Sequence, residues 1–531
     1  MIRFLKALLV LVAAALPAAA AVPRPAGPSE GSALLLATVW QRTVEGSLGP
    51  GYDPVTGTIP MTVANEYSAA EYAALDAATG EARWQRAYPR ISPDTAEIDT
   101  VAGGRYLIRS WGDPGHRTEL WAIDARDGDV AWHLPMSAGQ VTLLGATVLV
   151  PQGGTLAGVS LADGAVLWRW DAPLDCTVTW TAAGTTFFTA AVLCSGDGFL
   201  VTVDARSRTT LWGRPWLADA YGYAIADDLL LTYGENGTRI YDRTGAVRFR
   251  SAEAMRCSDP CFLAADGTLV INATWDNQYV LRGVDERSGT LRWTHRTEVD
   301  EMVIVGDRIY LTQPAPRPTP GTTVGALDPS TGRIRAAALL HYGSLDAFDA
   351  AAGILYLSDP GILDHDTVAV AVRPVDTDAP GLLGGAPAAQ WPDPCDLLSA
   401  EDLREVAPTV RFRPSPVRRV LADIDTGTAV SCRFLPDPAD GPVVTVSVAW
   451  CGNQAARALA AIASDQYEGA VRGLGDEAVK VTDESPYGVT TTMLAVRSGP
   501  VVATVQMLGG TAEQTLTLAG AVTRRLRPSG G

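Results

Sequence analysis

The 531-residue chain is short of positive charge and of histidine. It has 42 Lys and Arg against 59 Asp and Glu, a formal net charge of -17, and only five His. Nucleic-acid binding depends on cationic side chains that displace counterions from phosphates, so nucleic acid is excluded as an expected partner. The histidines lie in separate parts of the chain: His116, His133, His295, His341 and His365. Only Asp364-His365-Asp366 has the density of a ligand cluster, and a loop is the favoured interpretation there.

Long hydrophobic runs are confined to the N-terminus, which predicts an export signal over residues 1–21. Arg3 and Lys6 precede an apolar stretch, and small residues from Ala18 to Ala21 form a cleavage site. The alternative is an uncleaved membrane anchor, but Pro17 interrupts a stretch shorter than the roughly 20 residues of a spanning helix. We therefore expect a secreted or cell-envelope protein with no stable membrane span after cleavage.

The seven cysteines include no Cys-x-x-Cys pair and no two adjacent residues, which argues against a zinc site. In an exported chain cysteines pair instead, so three structural disulfides and one leftover thiol are expected. Cys176 and Cys194 flank a hairpin and should lie opposite one another on adjacent strands, and Cys257 and Cys261 bracket a Ser-Asp-Pro turn. The remaining three are Cys395, Cys432 and Cys451.

A short internal repeat dominates residues 33–375. An apolar strand ends in Asp, a Gly follows after a short turn, and an aromatic residue stands four positions after the Gly, as in Asp76, Gly80 and Trp84. The Asp is expected to cap the turn and the Gly to take a positive φ, which makes a tight hairpin. Some copies depart from the pattern: Ser160 replaces the Asp, Arg208 replaces a Gly, and the copy at Gly332 lacks its aromatic residue.

A second apolar hairpin lies between successive copies, with starts 42, 38, 44, 39, 40 and 45 residues apart. Two hairpins per period make four strands, which is one blade of a β-propeller. The last unit lacks an outer strand, and Ala33–Trp40 supplies a spare one, so we predict that the N-terminal strand closes the ring. The count is eight blades, with seven as the alternative.

The repeated aromatic residues are predicted to fill the gaps between neighbouring blades, where burial of a large ring is strongly stabilising. These blade-docking residues are Trp40, Trp84, Trp132, Trp168, Trp212, Phe249 and Trp293.

The Asp-x-x-Thr-Gly-x-x-x-Trp pattern resembles the tryptophan-docking repeats of quinoprotein alcohol dehydrogenases and of the bacterial outer-membrane assembly propeller. The dehydrogenases of that group hold their quinone against a disulfide of two adjacent cysteines, beside a calcium ion. This sequence has no such cysteine pair and no recognisable calcium ligands, so the resemblance implies the fold without the redox chemistry. No cofactor, catalytic residue or metal ligand is predicted.

Residues 376–390 are predicted to form a linker, and residues 391–531 are predicted to form a small α+β domain. A helix with Ser399 as N-cap, two later helices and four strands are predicted there. The segments around Cys395 and Cys432 resemble a domain of unassigned function in secreted actinobacterial lipoproteins. That resemblance implies a Cys395–Cys432 bridge and leaves Cys451 free or buried.

These observations favour a secreted, non-catalytic binding or scaffold protein, expected to be a monomer, whose propeller recognises a protein or envelope component of unknown identity. Two alternatives remain open. One is a quinone-dependent dehydrogenase with an altered pocket, and the other is an extracytoplasmic sensor that detects a ligand through its C-terminal domain.

Overall fold

The computed structural model describes residues 32–526 with internal gaps. The gaps are 64–68, 93–94, 112–117, 137–139, 174, 196, 216–219, 227, 235–236, 253–254, 276–277, 315–321, 341–346, 352, 360–365, 378–390, 418, 421–423, 426–428, 438–440, 453–454, 465–466 and 485–489. The predicted signal peptide (residues 1–21), most of the predicted linker, and His116, His341 and His365 lie outside the described residues.

Strands that follow one another in the chain form seven antiparallel four-stranded blades. Blade 1 comprises the end of β1 (Ser32–Leu48), β2 (Thr58–Val63), β3 (Ala70–Asp76) and β4 (Ala82–Tyr88), and blade 2 comprises β5 (Ala96–Ala102), β6 (Arg105–Ser110), β7 (Thr118–Asp124) and β8 (Val130–Met136). Blade 3 comprises β9 (Thr142–Leu144), β10 (Thr147–Gln152), β11 (Thr155–Ser160) and β12 (Val166–Asp171). Blade 4 comprises β13 (Cys176–Ala183), β14 (Phe187–Cys194), β15 (Asp197–Asp204) and β16 (Thr210–Pro215).

Blades 5–7 have the same order of strands. Blade 5 comprises β17 (Ala220–Ala226), β18 (Leu229–Gly234), β19 (Gly237–Asp242) and β20 (Val247–Ser251). Blade 6 comprises β21 (Met255–Ala265), β22 (Thr268–Trp275), β23 (Gln278–Asp285) and β24 (Leu291–His295). Blade 7 comprises β25 (Met302–Val305), β26 (Arg308–Pro314), β27 (Thr322–Leu327) and β28 (Ile334–Leu340). The first strands of neighbouring blades contact one another from β9 through to β25, so they line the central axis.

A closing blade joins the two ends of the propeller. It contains β29 (Ala347–Ala351), β30 (Ile354–Asp359), β31 (Asp366–Thr377) and the first part of β1, which pairs antiparallel with β31 from Ala33 to Glu45. The predicted propeller, with its ring closed by the N-terminal strand, is therefore confirmed. Counted with the closing blade, the described chain contains eight four-stranded units, seven of them built from consecutive strands.

The long strand β1 serves two blades in succession. After Glu45 it leaves β31, and Gly46–Leu48 pairs with β2 as the innermost strand of blade 1. Gly46 permits this because it has a φ of 138°, and a Cβ there would lie 1.9 Å from the Thr62 carbonyl oxygen. A single strand thus ties the start of the propeller to its end.

The C-terminal domain is an antiparallel sheet with helices on both faces. Its elements are α1 (Ala400–Val406), β32 (Arg411–Val417), β33 (Arg419–Val420), β34 (Ile424–Asp425), β35 (Ser431–Asp437), β36 (Val443–Trp450), α2 (Ala455–Ser464), β37 (Tyr467–Ala470), β38 (Glu477–Glu484), β39 (Thr490–Ser498), β40 (Val501–Leu508) and α3 (Ala512–Leu526). The main sheet has the order β32-β35-β36-β40-β39-β38-β37. This is the predicted small α+β domain.

Helices α1 and α3 cover one face of that sheet and α2 covers the other. Ser399 caps α1 as predicted, because its side chain accepts from the Asp402 amide while the Asp402 carboxylate accepts from Ser399. The hydrophobic cluster that contains α2 also includes Ile309 and Ile334 of blade 7, so the two domains share a core. Within the described residues, no helix has the length and apolarity to cross a bilayer.

Replacing Trp40 with Ala tests the closure. Trp40 belongs to the closing blade, is 7% exposed and donates its indole N–H to the Ala77 carbonyl of blade 1 at 2.8 Å. We expect a loss of about 3 kcal/mol or more in the free energy of unfolding, as for other buried Trp-to-Ala changes. Denaturant unfolding followed by circular dichroism measures it.

The matched control is Val39→Ala, on the same strand but 39% exposed, which should lose far less. Equal losses in the two variants would contradict the closure by Trp40.

Candidate functional site

The repeated aromatic residues lie in the seams between blades, each against the turn of the following blade. Five indoles donate their N–H to the carbonyl of the residue directly after the motif Asp or Ser: Trp40 to Ala77, Trp84 to Ala125, Trp132 to Leu161, Trp212 to Arg243 and Trp293 to Pro329. The turn glycine allows this contact. A Cβ on Gly80 would lie 2.6 Å from the Trp40 ring, and Gly80 has a φ of 70°.

The seam between blades 3 and 4 follows another pattern. Arg208 occupies the glycine position with a φ of 62°, and its guanidinium carbon lies 4.8 Å from the centre of the Trp168 ring. Trp168 stacks on Phe188 instead, and its buried N–H has no partner among the described residues. Here a cation–π contact takes the place of the indole hydrogen bond.

The motif aspartates cap their turns. One carboxylate oxygen of Asp76 accepts from the amides of Ala78 and Thr79, and Asp204 does the same with Arg206 and Ser207. The equivalent bonds occur at Asp124, Asp242, Asp285 and Asp328. The second oxygen commonly meets an arginine, as in Arg83–Asp76 at 2.6 Å. These carboxylates are occupied by structural contacts.

The cysteines divide between the two domains. Cys176 and Cys194 face each other in the β13–β14 register and form a disulfide, and Cys395 and Cys432 form a second one in the C-terminal domain. Cys261 is also disulfide-bonded, while the side chain of Cys257, its predicted partner, lies outside the described residues. Cys451 is a free, buried thiol, and burial raises its pKa to about 12.

A polar and aromatic cluster on the inner strands was not predicted. It contains Asp99 of β5, Gln140, Trp180 of β13 and Tyr223 of β17, together with Arg109. Asp99 accepts from the Val141 amide at 3.1 Å and meets Arg109 at 2.9 Å. Trp180 donates to Gln140 at 2.9 Å and packs edge-on against Tyr223.

Burial raises the pKa of Asp99 to about 6, against the attraction of Arg109. Asp99 lies at a bulge where β5 slips by one residue against β6. A bulge cannot be recognised in an alternating apolar pattern, which is why sequence reasoning missed this carboxylate.

A groove opens between blades 5 and 6, with a volume of about 610 Å³. Three arginines, Arg248, Arg287 and Arg292, and three carboxylates, Asp242, Asp285 and Glu286, line it together with Leu229 and Gly267. The pairs Arg248–Asp242, at 2.6 Å, and Arg292–Asp285 each lie within one blade. In the described part of the chain, the side chains of Glu286 and Arg287 form no ion pair.

The seam between blades 5 and 6 has Phe249 in place of tryptophan, and Phe249 packs against a hydrophobic cluster that the two blades share and does not line the groove. Phe249 offers no N–H, and the equivalent acceptor, the Glu286 carbonyl, receives no hydrogen bond from any described residue. Gly289 here faces main chain, since a Cβ on it would lie 1.6 Å from the Arg248 carbonyl oxygen. The sequence named Phe249 as a docking residue but predicted neither the groove nor its charged lining.

The described histidines have structural contacts, and so does Asn272, which begins an Asn-Ala-Thr match to the N-glycosylation acceptor pattern. His295 is 8% exposed and contacts the Gly332 carbonyl at 2.6 Å, and His133 stacks on Trp121. Asn272 is 1% exposed and donates to the Val299 carbonyl, so its amide is unavailable for modification in the folded protein. Among the described residues, no three His, Cys, Asp or Glu side chains are grouped to hold a metal ion.

The propeller sequence matches one protein-family model. The sequence model described as outer membrane protein assembly factor BamB matches residues 37–175 and 196–343. The chain belongs to this PQQ-type propeller family. No curated protein matches the chain.

Several solved structures are similar to this member of the family. The computationally designed Ika8 protein is 14% identical, with 65% of this chain and 98% of that one covered and a TM-score of 0.41. Quinohemoprotein alcohol dehydrogenase from Comamonas testosteroni is 13% identical, with 65% and 78% covered and a TM-score of 0.40. Dihydro-heme d1 dehydrogenase NirN is 13% identical, with 63% and 78% covered and a TM-score of 0.41.

The turn caps of this family member predict a loss of stability in acid. Hydrogen bonds from the Ser207 amide and hydroxyl lower the pKa of Asp204 to about 2. Because an unfolded aspartate titrates near about 3.9, the ionised carboxylate stabilises the fold above that pH, and the contribution disappears as the pH falls towards 2. Asp204→Asn is therefore expected to lower the unfolding midpoint at pH 7 and to match the wild type near pH 2.

Urea midpoints measured between pH 7 and pH 2 test this expectation. Asp307→Asn, at an exposed turn, is the control and should leave the midpoint nearly unchanged throughout. A difference between Asp204→Asn and the wild type that does not shrink in acid would contradict the capping role.

Proposed function

We propose that this protein is an extracytoplasmic, non-catalytic binding or scaffold protein that recognises a protein or envelope component through its propeller. The observation that carries the proposal is the use of the motif carboxylates. The carboxylate oxygens of Asp76, Asp204 and Asp285 accept hydrogen bonds from turn amides and pair with arginine side chains. Those hydrogen bonds lower the pKa values of the three aspartates. Carboxylates held in this way serve the scaffold, whereas acid–base catalysis needs groups poised near the working pH. Asp99, whose pKa burial raises to about 6, is held by Arg109 and by the Val141 amide.

Location outside the cytoplasm is supported by three features. The N-terminus has the pattern of an export signal, the disulfides Cys176–Cys194 and Cys395–Cys432 suit an oxidising compartment, and the family takes its name from an outer-membrane assembly factor. The likeness of the C-terminal domain to a domain of actinobacterial lipoproteins stays a prediction.

The surfaces for recognition are the inner-strand cluster and the groove between blades 5 and 6. In the first, the indole of Trp180 and the amide of Gln140 combine apolar area with hydrogen-bonding groups, as protein-binding surfaces do. In the second, side chains of both charge signs surround an open cleft. Trp180 and Arg248 lie on strands of the closed ring, which anchor these two side chains before any partner binds.

The function is tested with the full mature chain and an extract of cell-envelope proteins. Hydrogen–deuterium exchange is expected to show that the extract protects propeller amides, and prior digestion of the extract with protease should abolish that protection. No amide protected by the undigested extract would contradict the proposal.

The dehydrogenase alternative is tested on the same preparation. After incubation with pyrroloquinoline quinone and calcium followed by dialysis, we expect neither bound quinone absorbance nor dye-linked oxidation of alcohols. Either signal would overturn the non-catalytic assignment.

A further inference from the structure

One face of the C-terminal sheet is only partly covered. Helices α1 and α3 pack on the first face, against Cys432, Phe434 and Val446. On the second face α2 packs on β38, β39 and β40, which lie at the other side of the sheet from β32 and β35. Burial on this second face falls sharply along β35, from Ser431 at 2% exposed to the exposed Arg433 two residues later.

Three arginines lie on the open half of the second face. Arg411 and Arg413 flank Phe412 on β32, and Phe412 packs on the side of α1 and α3, so both arginines point the other way. Arg433 precedes Phe434, which packs on that same helical side. All three arginines are exposed. We call the half-sheet that carries Arg411, Arg413 and Arg433 the arginine face.

The three guanidinium groups are close enough to act on one ligand. Arg411 and Arg413 are two residues apart on one strand, about 6.8 Å along it. Arg413 is diagonal to Arg433 in the β32–β35 register, a separation of about 7–8 Å. Within the described part of the chain none of the three is in an ion pair, whereas propeller arginines commonly meet a carboxylate, as in Arg105–Asp124 at 2.7 Å.

The surroundings of these arginines are partly apolar. Leu435 lies directly opposite Arg413 on the neighbouring strand and is partly exposed. Leu508, at the end of β40 on the same face, is 49% exposed. One carboxylate, Asp437, lies opposite Arg411. The arginine face therefore combines a net positive charge with exposed aliphatic area, in a chain whose formal net charge is -17.

The edge strand beside this face is unsuited to pairing with another strand. β32 is the first strand of the sheet, and its Pro414 and Pro416 have no N–H to offer to a ladder. A ligand is therefore expected to contact side chains on the face. The planar guanidinium group suits carboxylates and phosphates, and the two leucines add apolar area that a bare polyanion cannot use.

We propose that the arginine face binds an acidic, partly apolar segment of another protein. Carboxylates two residues apart in an extended segment have the same spacing as Arg411 and Arg413. Aliphatic side chains of the segment cover the exposed surface of Leu435 and Leu508. This inference assigns a binding surface outside the propeller, and it does not rest on the function proposed for the propeller.

The test uses the full mature chain and a fluorescein-labelled decapeptide, Gly-Glu-Ser-Glu-Leu-Leu-Glu-Ser-Glu-Gly, with binding followed by fluorescence anisotropy at low salt. Three comparison peptides carry Gln for Glu, Lys for Glu, or Ser for Leu. We expect the acidic peptide to bind about tenfold more tightly than the Gln and Lys peptides and about threefold more tightly than the Ser peptide. No binding of the acidic peptide, or equal binding of any comparison peptide, would overturn the proposal.

Inorganic polyphosphate and phosphatidylglycerol vesicles separate a protein segment from other anions. Both present phosphate groups, without carboxylates at the spacing of an extended chain. We expect each of them to displace less than half of the labelled peptide at an equal concentration of negative charge. Complete displacement by either one would show that the face takes phosphate groups, and the assignment to an acidic protein segment would be wrong.

A pair of double variants tests the site itself. Arg413→Gln/Arg433→Gln should weaken binding of the acidic peptide about tenfold. Arg404→Gln/Arg524→Gln makes the same change in net charge on α1 and α3, which cover the opposite face, and should leave the affinity unchanged. All four arginines are exposed, so both variants should keep the wild-type thermal midpoint. Equal losses of affinity would mean that overall charge, and not this face, holds the peptide.

The outcome separates this surface from the function of the propeller. If the peptides fail while envelope proteins still protect propeller amides from exchange, the arginine face is wrongly assigned and the proposed function stands. If the acidic peptide binds while no propeller amide is protected, the arginine face stands and the proposed function is wrong.

Discussion

The propeller depends on one interaction, the contact of an aromatic ring in one blade with the turn of the next. A blade is a small sheet with two apolar faces, and it is stable only between neighbours. The indole fills the gap at the seam and its N–H also satisfies a turn carbonyl, so one side chain supplies both packing and orientation. The turn glycine is the necessary counterpart, since a Cβ at Gly80 would lie 2.6 Å from the Trp40 ring.

The same contact explains the use of the first strand. A chain of blades has two open ends, and each end would expose an apolar face and an unpaired edge. Residues 33–45 remove the edge by pairing with β31, and Trp40 on that strand seals the seam with blade 1. The continuation of the strand through Gly46 into blade 1 then fixes both ends with a single segment.

Much of this could be predicted because each part has a local signature. Asp76, Gly80 and Trp84 stand at fixed spacing, and the spare strand ending at Trp40 complements the incomplete last unit. The candidate site could not be predicted in the same way. Asp99 contacts Val141 and Arg109 at a strand bulge, and the groove is lined by residues of two different blades, whose juxtaposition is a tertiary property.

Departures from the repeat are therefore the informative positions, because the regular copies already have a structural role. Arg208 replaces a glycine yet keeps its seam filled, since its guanidinium stacks on Trp168. Phe249 replaces a tryptophan and packs against the hydrophobic cluster that blades 5 and 6 share, where the Gly289 turn lies directly against the Arg248 main chain. A propeller built on such seams keeps its ring closed when one indole contact changes, because another contact fills the gap, as the guanidinium does at Trp168 and the apolar cluster does at Phe249.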